Sequence, residues 1–291
     1  MVLDSHTHAW GPPSRDHPWV NGPLVEHSVD AFSVETVYRD RHLVRDMDAA
    51  GIDRAVVVGY PTCDWRDNSY TVEVAEANDR LAAIVMIDPF ADDAVEQLEA
   101  YMAVEGVLGF RLGAICPYDR MWETFDPSQT WLRDAITETE FWGAVGETDA
   151  VVQLLAHETQ LDQAIELVEA YPDYTYLFDH FAHADPAVAP SEGPLAAVER
   201  LADYPGVAVK VSEIVHRSAE PHPYTDMHEH VRWYLDTFGR ERVIWGSDFP
   251  NVSDEATYIE SLTWLEHVDG LSEADKEWIT ERAFDGHVGF G

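Results

Sequence analysis

The 291-residue sequence has few basic residues and few cysteines. Lys and Arg number 18, and only Lys210 and Lys276 are lysines, whereas Asp and Glu number 55, which gives a formal net charge of −37. A surface with this charge repels phosphate backbones and anionic lipids, so we expect neither nucleic-acid nor membrane partners. Cys63 and Cys116 form no CxxC motif, which argues against a disulfide framework and a zinc knuckle.

Long apolar runs are also missing. No run approaches the roughly 20 residues that span a bilayer, and residues 1–4 do not begin a signal peptide. We therefore expect a cytoplasmic protein. The content of 46% apolar residues and ten tryptophans indicates a folded domain rather than a disordered acidic chain.

The excess of acid with scarce lysine is typical of proteins that stay soluble in multimolar salt, where charges are screened within a few ångströms. We therefore expect a halophilic source. The alternative is an acidic binding face. The spread of acidic residues along the whole chain argues against it.

Short β-rich runs alternate with helical patterns along the whole chain. The predicted strands are residues 2–8, 54–59, 81–87, 107–112, 151–156, 175–180, 207–212 and 243–248. The predicted helices are residues 38–50, 69–79, 92–104, 129–145, 159–170, 194–203, 224–238, 254–267 and 273–284, the last with Ser272 as its cap. Eight strand–helix units without a linker predict one (β/α)₈ TIM barrel over residues 1–291. An open doubly wound sheet gives the same alternation, and the count of eight favours the barrel.

Ionisable residues gather where the predicted strands end, which is where a barrel carries its active site. They are His6, His8, Arg111, His157, His180, Lys210, Glu213 and Asp248. The segment 9–37, with Trp10 and Trp19, follows the first strand and is long enough to be a functional loop.

Strand parity predicts which of these side chains share a face, because alternate residues of a strand point the same way. Asp4, His6 and His8 are expected on one face of the first strand. Lys210 and Asp248 are expected to point into the barrel, while Val207, Val209 and Val211 face the helices.

The His-x-His pattern is weak by itself, since 14 histidines produce about 0.7 such pairs by chance. His228 and His230 form a second pair in a predicted helix, where residues two apart do not face each other. We expect that pair on a solvated helix surface. His6 and His8 lie on a strand, where the same spacing directs both imidazoles to one point, as Zn²⁺ or a similar ion requires.

Several motifs resemble those of the amidohydrolase superfamily, in the branch with sugar-acid lactonases, pyrone-dicarboxylate lactonases and aminocarboxymuconate-semialdehyde decarboxylases. They occur in the family's order from end to end: Asp4-Ser5-His6-Thr7-His8-Ala9-Trp10, His17-Pro18-Trp19, residues 47–55, Leu177-Phe178-Asp179-His180, Val209-Lys210-Val211-Ser212 and residues 244–250.

The resemblance implies a role for each matching residue. His6 and His8 are expected to bind one divalent metal ion, expected to be zinc, with His157 as a further ligand. Asp248 is expected to bind metal or act as general base, and His180 to polarise or deprotonate the attacking water. Some lactonases of this branch work without metal, so a metal-free lactonase is the alternative.

The fourth strand carries Arg111 where two-metal members have a carboxylated lysine, so a bridged two-metal site is not expected. Arg111 is suited to hold a substrate carboxylate or carbonyl oxygen. The other predicted substrate contacts are Lys210, Trp10, Trp19 and His183. Each has a structural alternative: Arg111 or Lys210 can pair with a buried acid, the tryptophans can pack loops, and His157 and His183 can be satisfied hydrogen-bonding residues.

The hypothesis from the sequence is a hydrolase, expected to be a lactonase, that opens a small polar lactone with an activated water. The first alternative is a metal-dependent non-oxidative decarboxylase of the same branch, which needs the same residues. The second is a catalytically silent metal-binding or partner-binding barrel. A homo-oligomer fits the resemblance, although no sequence feature demonstrates an interface.

Overall fold

The computed structural model describes residues 1–18, 37–60, 67–113, 130–184 and 193–290. Eight parallel strands form one sheet in chain order. They are β1 (Leu3–Thr7), β2 (Arg54–Val58), β3 (Leu81–Met86), β4 (Val107–Leu112), β5 (Val151–Leu154), β6 (Thr175–Phe178), β7 (Val207–Val211) and β8 (Val243–Trp245). A parallel bridge between Thr7 and Phe249 joins the end of β8 to β1. The predicted TIM barrel is confirmed.

Helices follow the strands along the chain. The described α-helices are α1 (Asp40–Ala50), α2 (Ser69–Ala77), α3 (Ala94–Met102), α4 (Trp131–Ala135), α5 (Thr139–Val145), α6 (Leu161–Ala170), α7 (Leu195–Leu201), α8 (Ile214–Arg217), α9 (His228–Phe238), α10 (Tyr258–Thr263), α11 (Glu273–Glu277) and α12 (Ala283–His287). Short 3₁₀ segments are Glu158–Gln160, His180–His183, Thr225–Met227 and Trp264–His267, and Trp278–Arg282 is a π-helix.

Some predicted helices are broken in the structure. The single helix predicted over 129–145 is two helices, because the Thr137 hydroxyl bonds the Asp134 carbonyl at 2.7 Å and competes with helical pairing. The Ser272 cap is confirmed, since its side chain accepts from the Asp275 backbone N–H.

The strands bury both of their faces. Val207, Val209 and Val211 pack outward in the shell between sheet and helices, as predicted. The inward residues form a separate apolar cluster: Leu3, Val56, Val58, Ala82, Ile84, Val151, Leu177, Ala208 and Ile244, with Ala283, Phe284 and Phe290 from the C-terminal region. A buried aliphatic side chain contributes roughly 1.5–3 kcal/mol. This apolar interior supports the polar groups at the other end of the strands.

A β-bulge in β1 changes the predicted parity. Asp4 pairs with Ala55, but Thr7 pairs with Val57, so three steps on β1 match two on β2. The Asp4 carboxylate therefore points outward and accepts from the Tyr258 hydroxyl at 2.8 Å. The prediction that Asp4 shares a face with His6 and His8 is wrong, because period-2 reasoning assumes an unbroken strand.

The other His-x-His pair lies on α9 as predicted, but not on a solvated surface. His228 and His230 are each only 8% exposed. The His228 Nε2 atom lies 2.8 Å from the Pro223 carbonyl oxygen, which fixes that ring against the preceding loop. The expectation of a solvated pair is wrong, because α9 turns its N-terminal residues into the protein.

Several predictions fall outside the described residues. Trp19, Cys63 and Cys116 lie there, as does most of the segment 9–37. Across the described ranges, no helix combines the length and apolar character that a membrane span requires.

Candidate active site

His8 and Asp248 form the centre of the site. The His8 Nδ1 atom lies 2.8 Å from the Val58 carbonyl oxygen, which can only accept, so this nitrogen carries a proton. Its Nε2 lies 3.1 Å from Asp248 Oδ1. Burial favours the protonated acid, but the imidazoles of His8 and His180 outweigh it and hold the pKa of Asp248 below its usual value. Two acceptors thus face each other, and a proton or a metal cation must lie between them.

His6, on β1, faces the same carboxylate of Asp248. Its Nε2 atom lies 3.5 Å from Asp248 Oδ1, and its ring is fully buried. Both ring nitrogens lack an aligned hydrogen-bond partner within the described part of the chain. Burial lowers the pKa of His6 well below its usual value, against the opposing effect of Asp179, so the ring is neutral.

These residues fit a metal cation. One ligand atom from each of His6, His8 and Asp248 lies within 4.8 Å of the other two. Two imidazoles and a carboxylate on adjoining strands are a common donor set for Zn²⁺, with one position left for water or substrate. The orphaned nitrogens of His6 support this fit, since a buried polar atom is otherwise costly.

His180 lies beside His6 because the chain leaves β6 in an unusual conformation. All four residues from His180 to His183 have positive φ, between 51° and 57°. Asp248 also has a positive φ, of 65°. Non-glycine residues rarely adopt this region, and such strain collects at functional sites. The turn brings the His180 ring within 4.7 Å of the His6 ring, with its Nδ1 atom 2.9 Å from Ser212 Oγ.

Beneath the histidines lies a buried ionic network centred on Asp179. Its Oδ2 atom accepts from Arg111 Nε at 2.9 Å and from Gln153 Nε2 at 3.0 Å. Lys210 donates to Gln153 Oε1 at 2.7 Å and to the Ser5 carbonyl at 2.9 Å. The inward position of Lys210 is confirmed, and so is the alternative that Arg111 and Lys210 pair with a buried acid. Their contact with substrate stays a prediction.

The charges of this network favour an ionised Asp179. Burial alone raises the pKa of a carboxyl group, but His6, Arg111 and Lys210 outweigh it and hold the pKa of Asp179 well below its usual value. Burial also lowers the pKa of Lys210 to about 8, against the opposing charge of Asp179. The floor of the site is therefore charged and fixed by direct contacts.

A second polar cluster lies at the rim, on the segments after β6 and β7. Arg217 Nη2 lies 2.8 Å from Glu213 Oε2 and 2.9 Å from His183 Nδ1. His216 Nδ1 lies 3.2 Å from the other Glu213 oxygen. Burial and the Arg217 charge lower the pKa of His183 well below its usual value. His183 is thus brought to the site, but its contact with substrate stays a prediction.

Two further predicted residues lie around this centre. Trp10 is 4% exposed and stacks on Tyr60 with ring centroids 5.2 Å apart, and Tyr60 in turn contacts His8. His157 follows β5, where its ring caps the short segment Glu158–Gln160. Among the described residues, the groups that could hold a metal ion do not include His157. Its role as a ligand stays a prediction.

The chain matches one known family over most of its length. The family described as amidohydrolase matches residues 3–282. The chain belongs to this amidohydrolase family. The L-fucono-1,5-lactonase of Burkholderia ambifaria is 28% identical to it over 254 residues, which cover 85% of this chain and 80% of that protein. The predicted superfamily and hydrolase class are confirmed.

Solved structures show the same fold. A zinc-bound amidohydrolase from Burkholderia multivorans superposes with a TM-score of 0.77 at 20% identity, covering 98% of both chains. A putative 2-pyrone-4,6-dicarboxylic acid hydrolase from Pseudomonas putida gives a TM-score of 0.75 at 20% identity, covering 99% of this chain and 97% of that one. At this identity the likeness shows the fold alone.

Several residues of this amidohydrolase site were not assigned a role from the sequence. Asp179 belongs to the quoted motif before His180, Gln153 shares the inward face of β5, and Glu213 was noted only as a strand-end acid. Arg217 gave no signal, because the short helix α8 that carries it was not predicted. The partners of Asp179 and Gln153 are distant in sequence, which no local pattern reveals.

Proposed function

We propose that this amidohydrolase is a lactonase that opens a small polar lactone of the sugar-acid type at the mouth of the barrel. The observation that carries the proposal is the convergence of His6, His8 and Asp248 within 4.8 Å. It occurs in a chain that is 28% identical to a lactonase over 85% of its length. The buried and strained backbone at His180 and Asp248 supports a catalytic role for this centre.

The proposal includes one divalent metal ion, with zinc as the first candidate. His6, His8 and Asp248 would hold it. When bound, such an ion polarises a carbonyl group and makes a nearby water more acidic. Metal analysis of the purified protein, with activity measured before and after chelation, tests this part separately. Retained activity after complete metal removal would support the metal-free alternative.

Asp248 carries the proton transfers in this proposal, and His180 stabilises the developing negative charge. The Asp248 carboxylate takes a proton from water as the water oxygen bonds to the lactone carbonyl carbon. His180, whose pKa burial lowers, stays neutral and donates an N–H hydrogen bond to the carbonyl oxygen as negative charge develops there. The C–O bond of the lactone ring then breaks, and the leaving oxygen receives the proton from Asp248. The product is a hydroxy acid.

The predicted substrate contacts divide into two groups. Trp10, Trp19 and His183 are retained in the proposal as contacts around the mouth. Arg111 and Lys210 are 3% and 0% exposed and contact the buried Asp179. These two residues support the site through Asp179, and their direct contact with substrate stays a prediction.

A substrate screen tests the reaction. Purified protein with one equivalent of zinc would be offered sugar-acid lactones and aromatic-derived lactones, with acid release and CO₂ both recorded. A lactonase releases one equivalent of acid per lactone and no CO₂. CO₂ evolution from an aromatic or unsaturated carboxylic acid would favour the decarboxylase. A metal-loaded protein that turns over neither class would favour the silent barrel.

We further propose that the enzyme works in the cytoplasm at high salt, because the net charge of −37 is self-repulsive when screening is weak. The melting temperature is expected to rise by more than about 5 °C between 0.1 M and 2 M KCl, a change of roughly 2–3 kcal/mol or more. A melting temperature that falls or stays constant would contradict the salt adaptation. Light scattering in the same buffers would give the oligomeric state.

A further inference from the structure

The Asp179 carboxylate has donors around it. Arg111 and Gln153 donate to Oδ2 at 2.9 and 3.0 Å, and Lys210 Nζ lies 3.6 Å from Oδ1. His6 Nδ1 also faces Oδ1, at 3.2 Å. Arginine and lysine have no acceptor atom, and the amide oxygen of Gln153 is already bonded to Lys210. Asp179 can therefore act towards His6 only as an acceptor.

The contact between His6 and Asp179 is close but not aligned. At 3.2 Å the two atoms are within reach, yet neither His6 Nδ1 nor Asp179 Oδ1 has a properly directed hydrogen bond to a described residue. Both atoms are fully buried. Hydrogen bonds of this kind often tighten only when a site is occupied. A small rotation of the His6 ring would align its Nδ1–H with the carboxylate.

Asp179 could alternatively be a metal ligand, since it also falls in a group with His6 and His180. The surrounding charges argue against this. A cation at Oδ1 would lie beside the Lys210 ammonium, 3.6 Å from the same oxygen, and near the Arg111 guanidinium. Like charges at such distances in a buried site repel strongly. The three-residue group of His6, His8 and Asp248 contains no such cation.

We propose that Asp179 is a positioning residue that holds the His6 proton on Nδ1 and so presents the Nε2 lone pair to Asp248 and His8. Arg111, Gln153 and Lys210 keep Asp179 in place. The arrangement parallels His8, whose Nδ1 faces the Val58 carbonyl oxygen. Both imidazoles then direct an unprotonated Nε2 to one point, because an acceptor behind each ring holds the proton on Nδ1, as is common at metal sites. The role of Asp179 at a bound metal ion rests on the proposed function, but the tautomer does not.

The first test reads the His6 tautomer in the metal-free wild-type protein. Two-bond ¹H–¹⁵N correlation spectra of ¹⁵N-histidine-labelled protein show which ring nitrogen carries the proton, and the His6→Asn variant assigns the signal. The expected result is a neutral ring protonated on Nδ1. A ring protonated on Nε2 would overturn the proposal. This measurement requires no substituted Asp179 and no substrate, so it stands even if the variant below does not fold.

The second test measures Zn²⁺ affinity by competition with a chromophoric chelator. Asp179→Asn is expected to weaken zinc binding by about 10–100-fold and to shift the His6 proton away from Nδ1. Asp46→Asn is the control. Asp46 is partly buried on α1, where it bonds Tyr38 and Arg45 rather than a candidate metal ligand. This control is expected to keep the tautomer and the affinity.

Two results of the second test would overturn the proposal. One is a folded Asp179→Asn variant with wild-type affinity and tautomer. The other is an equal loss of affinity in Asp46→Asn and Asp179→Asn, since that would indicate a general effect of removing a carboxylate. Failure of the proposed lactonase activity would leave the tautomer and the zinc affinity unchanged, so the two proposals fail separately.

Discussion

The chain contains two His-x-His pairs, and the structure places them in different settings. His6 and His8 lie on and just after β1, at the mouth of the barrel, and both face Asp248. His228 and His230 begin α9, where two residues correspond to about 200° of helical rotation, so their side chains diverge. Both pairs are buried. Burial therefore does not separate a candidate metal site from a structural pair, but the direction of the side chains does.

The partners of the ring nitrogens also differ. On β1, the carbonyl oxygen of Val58 and the carboxylate of Asp179 lie at the Nδ1 atoms of His8 and His6, which leaves both Nε2 atoms directed at Asp248. On α9, the His228 Nε2 atom is itself occupied by the Pro223 carbonyl oxygen. A sequence motif becomes a site only when one nitrogen of each ring is fixed and the other is directed to a shared point.

Substituting each pair in turn should have the largest effect. In His6→Asn and His8→Asn, bound zinc should fall from about one ion per chain to less than about 0.1, because two ligands cannot retain the ion against buffer. In His228→Asn, zinc content should be unchanged, with a stability loss of about 1 kcal/mol from the broken hydrogen bond. Elemental analysis after gel filtration and urea unfolding measure both. If His228→Asn lost as much zinc as His6→Asn and His8→Asn, the two pairs would not differ as proposed.

Substituting Gly246, which lies beside His6, should have a smaller effect than removing a ligand. A Cβ atom on Gly246 would lie 2.8 Å from His6 Cβ and 3.0 Å from Ser5 Oγ. Gly246→Ala must therefore displace β1 at Ser5 and His6. Lactone turnover is expected to fall by about 10–100-fold, since a shift near 1 Å can cost that much.

Gly143→Ala is the matched control for that variant. Apart from its chain neighbours and the backbone of its own helix, no described atom lies within 4 Å of the added Cβ on the exposed face of α5. It should leave turnover unchanged and stabilise the helix by roughly 0.5–1 kcal/mol. Wild-type turnover in Gly246→Ala would show that His6 tolerates displacement.

His157→Ala is expected to have the smallest effect on the metal. His157 lies three residues after β5, much as His8 lies just after β1, yet its ring nitrogen contacts Thr159 rather than the central carboxylate. Zinc stoichiometry should be unchanged, with about 1 kcal/mol lost from the cap. Loss of zinc in this variant would restore His157 as the further ligand that the family resemblance implied.

The fold could be predicted from local patterns because each βα unit shows its own periodicity. Eight alternations were enough to choose a barrel. The errors came from places where the backbone leaves its regular path. Period-2 reasoning assigned Asp4 to the wrong face because it cannot detect the β1 bulge. The strand predicted over 175–180 is too long, since β6 ends at Phe178. Nothing local in the sequence signals the left-handed turn at His180.

The site could be predicted only in part, for a related reason. His6, His8, His180 and Asp248 follow from strand ends and family motifs, and the structure brings them together. Their partners do not follow. Arg111 and Asp179 are 68 residues apart, and Lys210 and the Ser5 carbonyl are 205 apart. Such contacts depend on the register of several strands at once, which a single sequence does not reveal.

Turnover of a sugar-acid lactone by Asp248→Asn tests the central claim most directly. The variant should be folded, as shown by circular dichroism, because Asn keeps the shape of the side chain. Loss of the carboxylate should reduce kcat by about 10²–10⁴-fold, the contribution of a general base. Asp173→Asn, an exposed acid that precedes β6 at the opposite end of the strands, is the control and should match wild type. A folded Asp248→Asn enzyme with wild-type turnover would contradict the account.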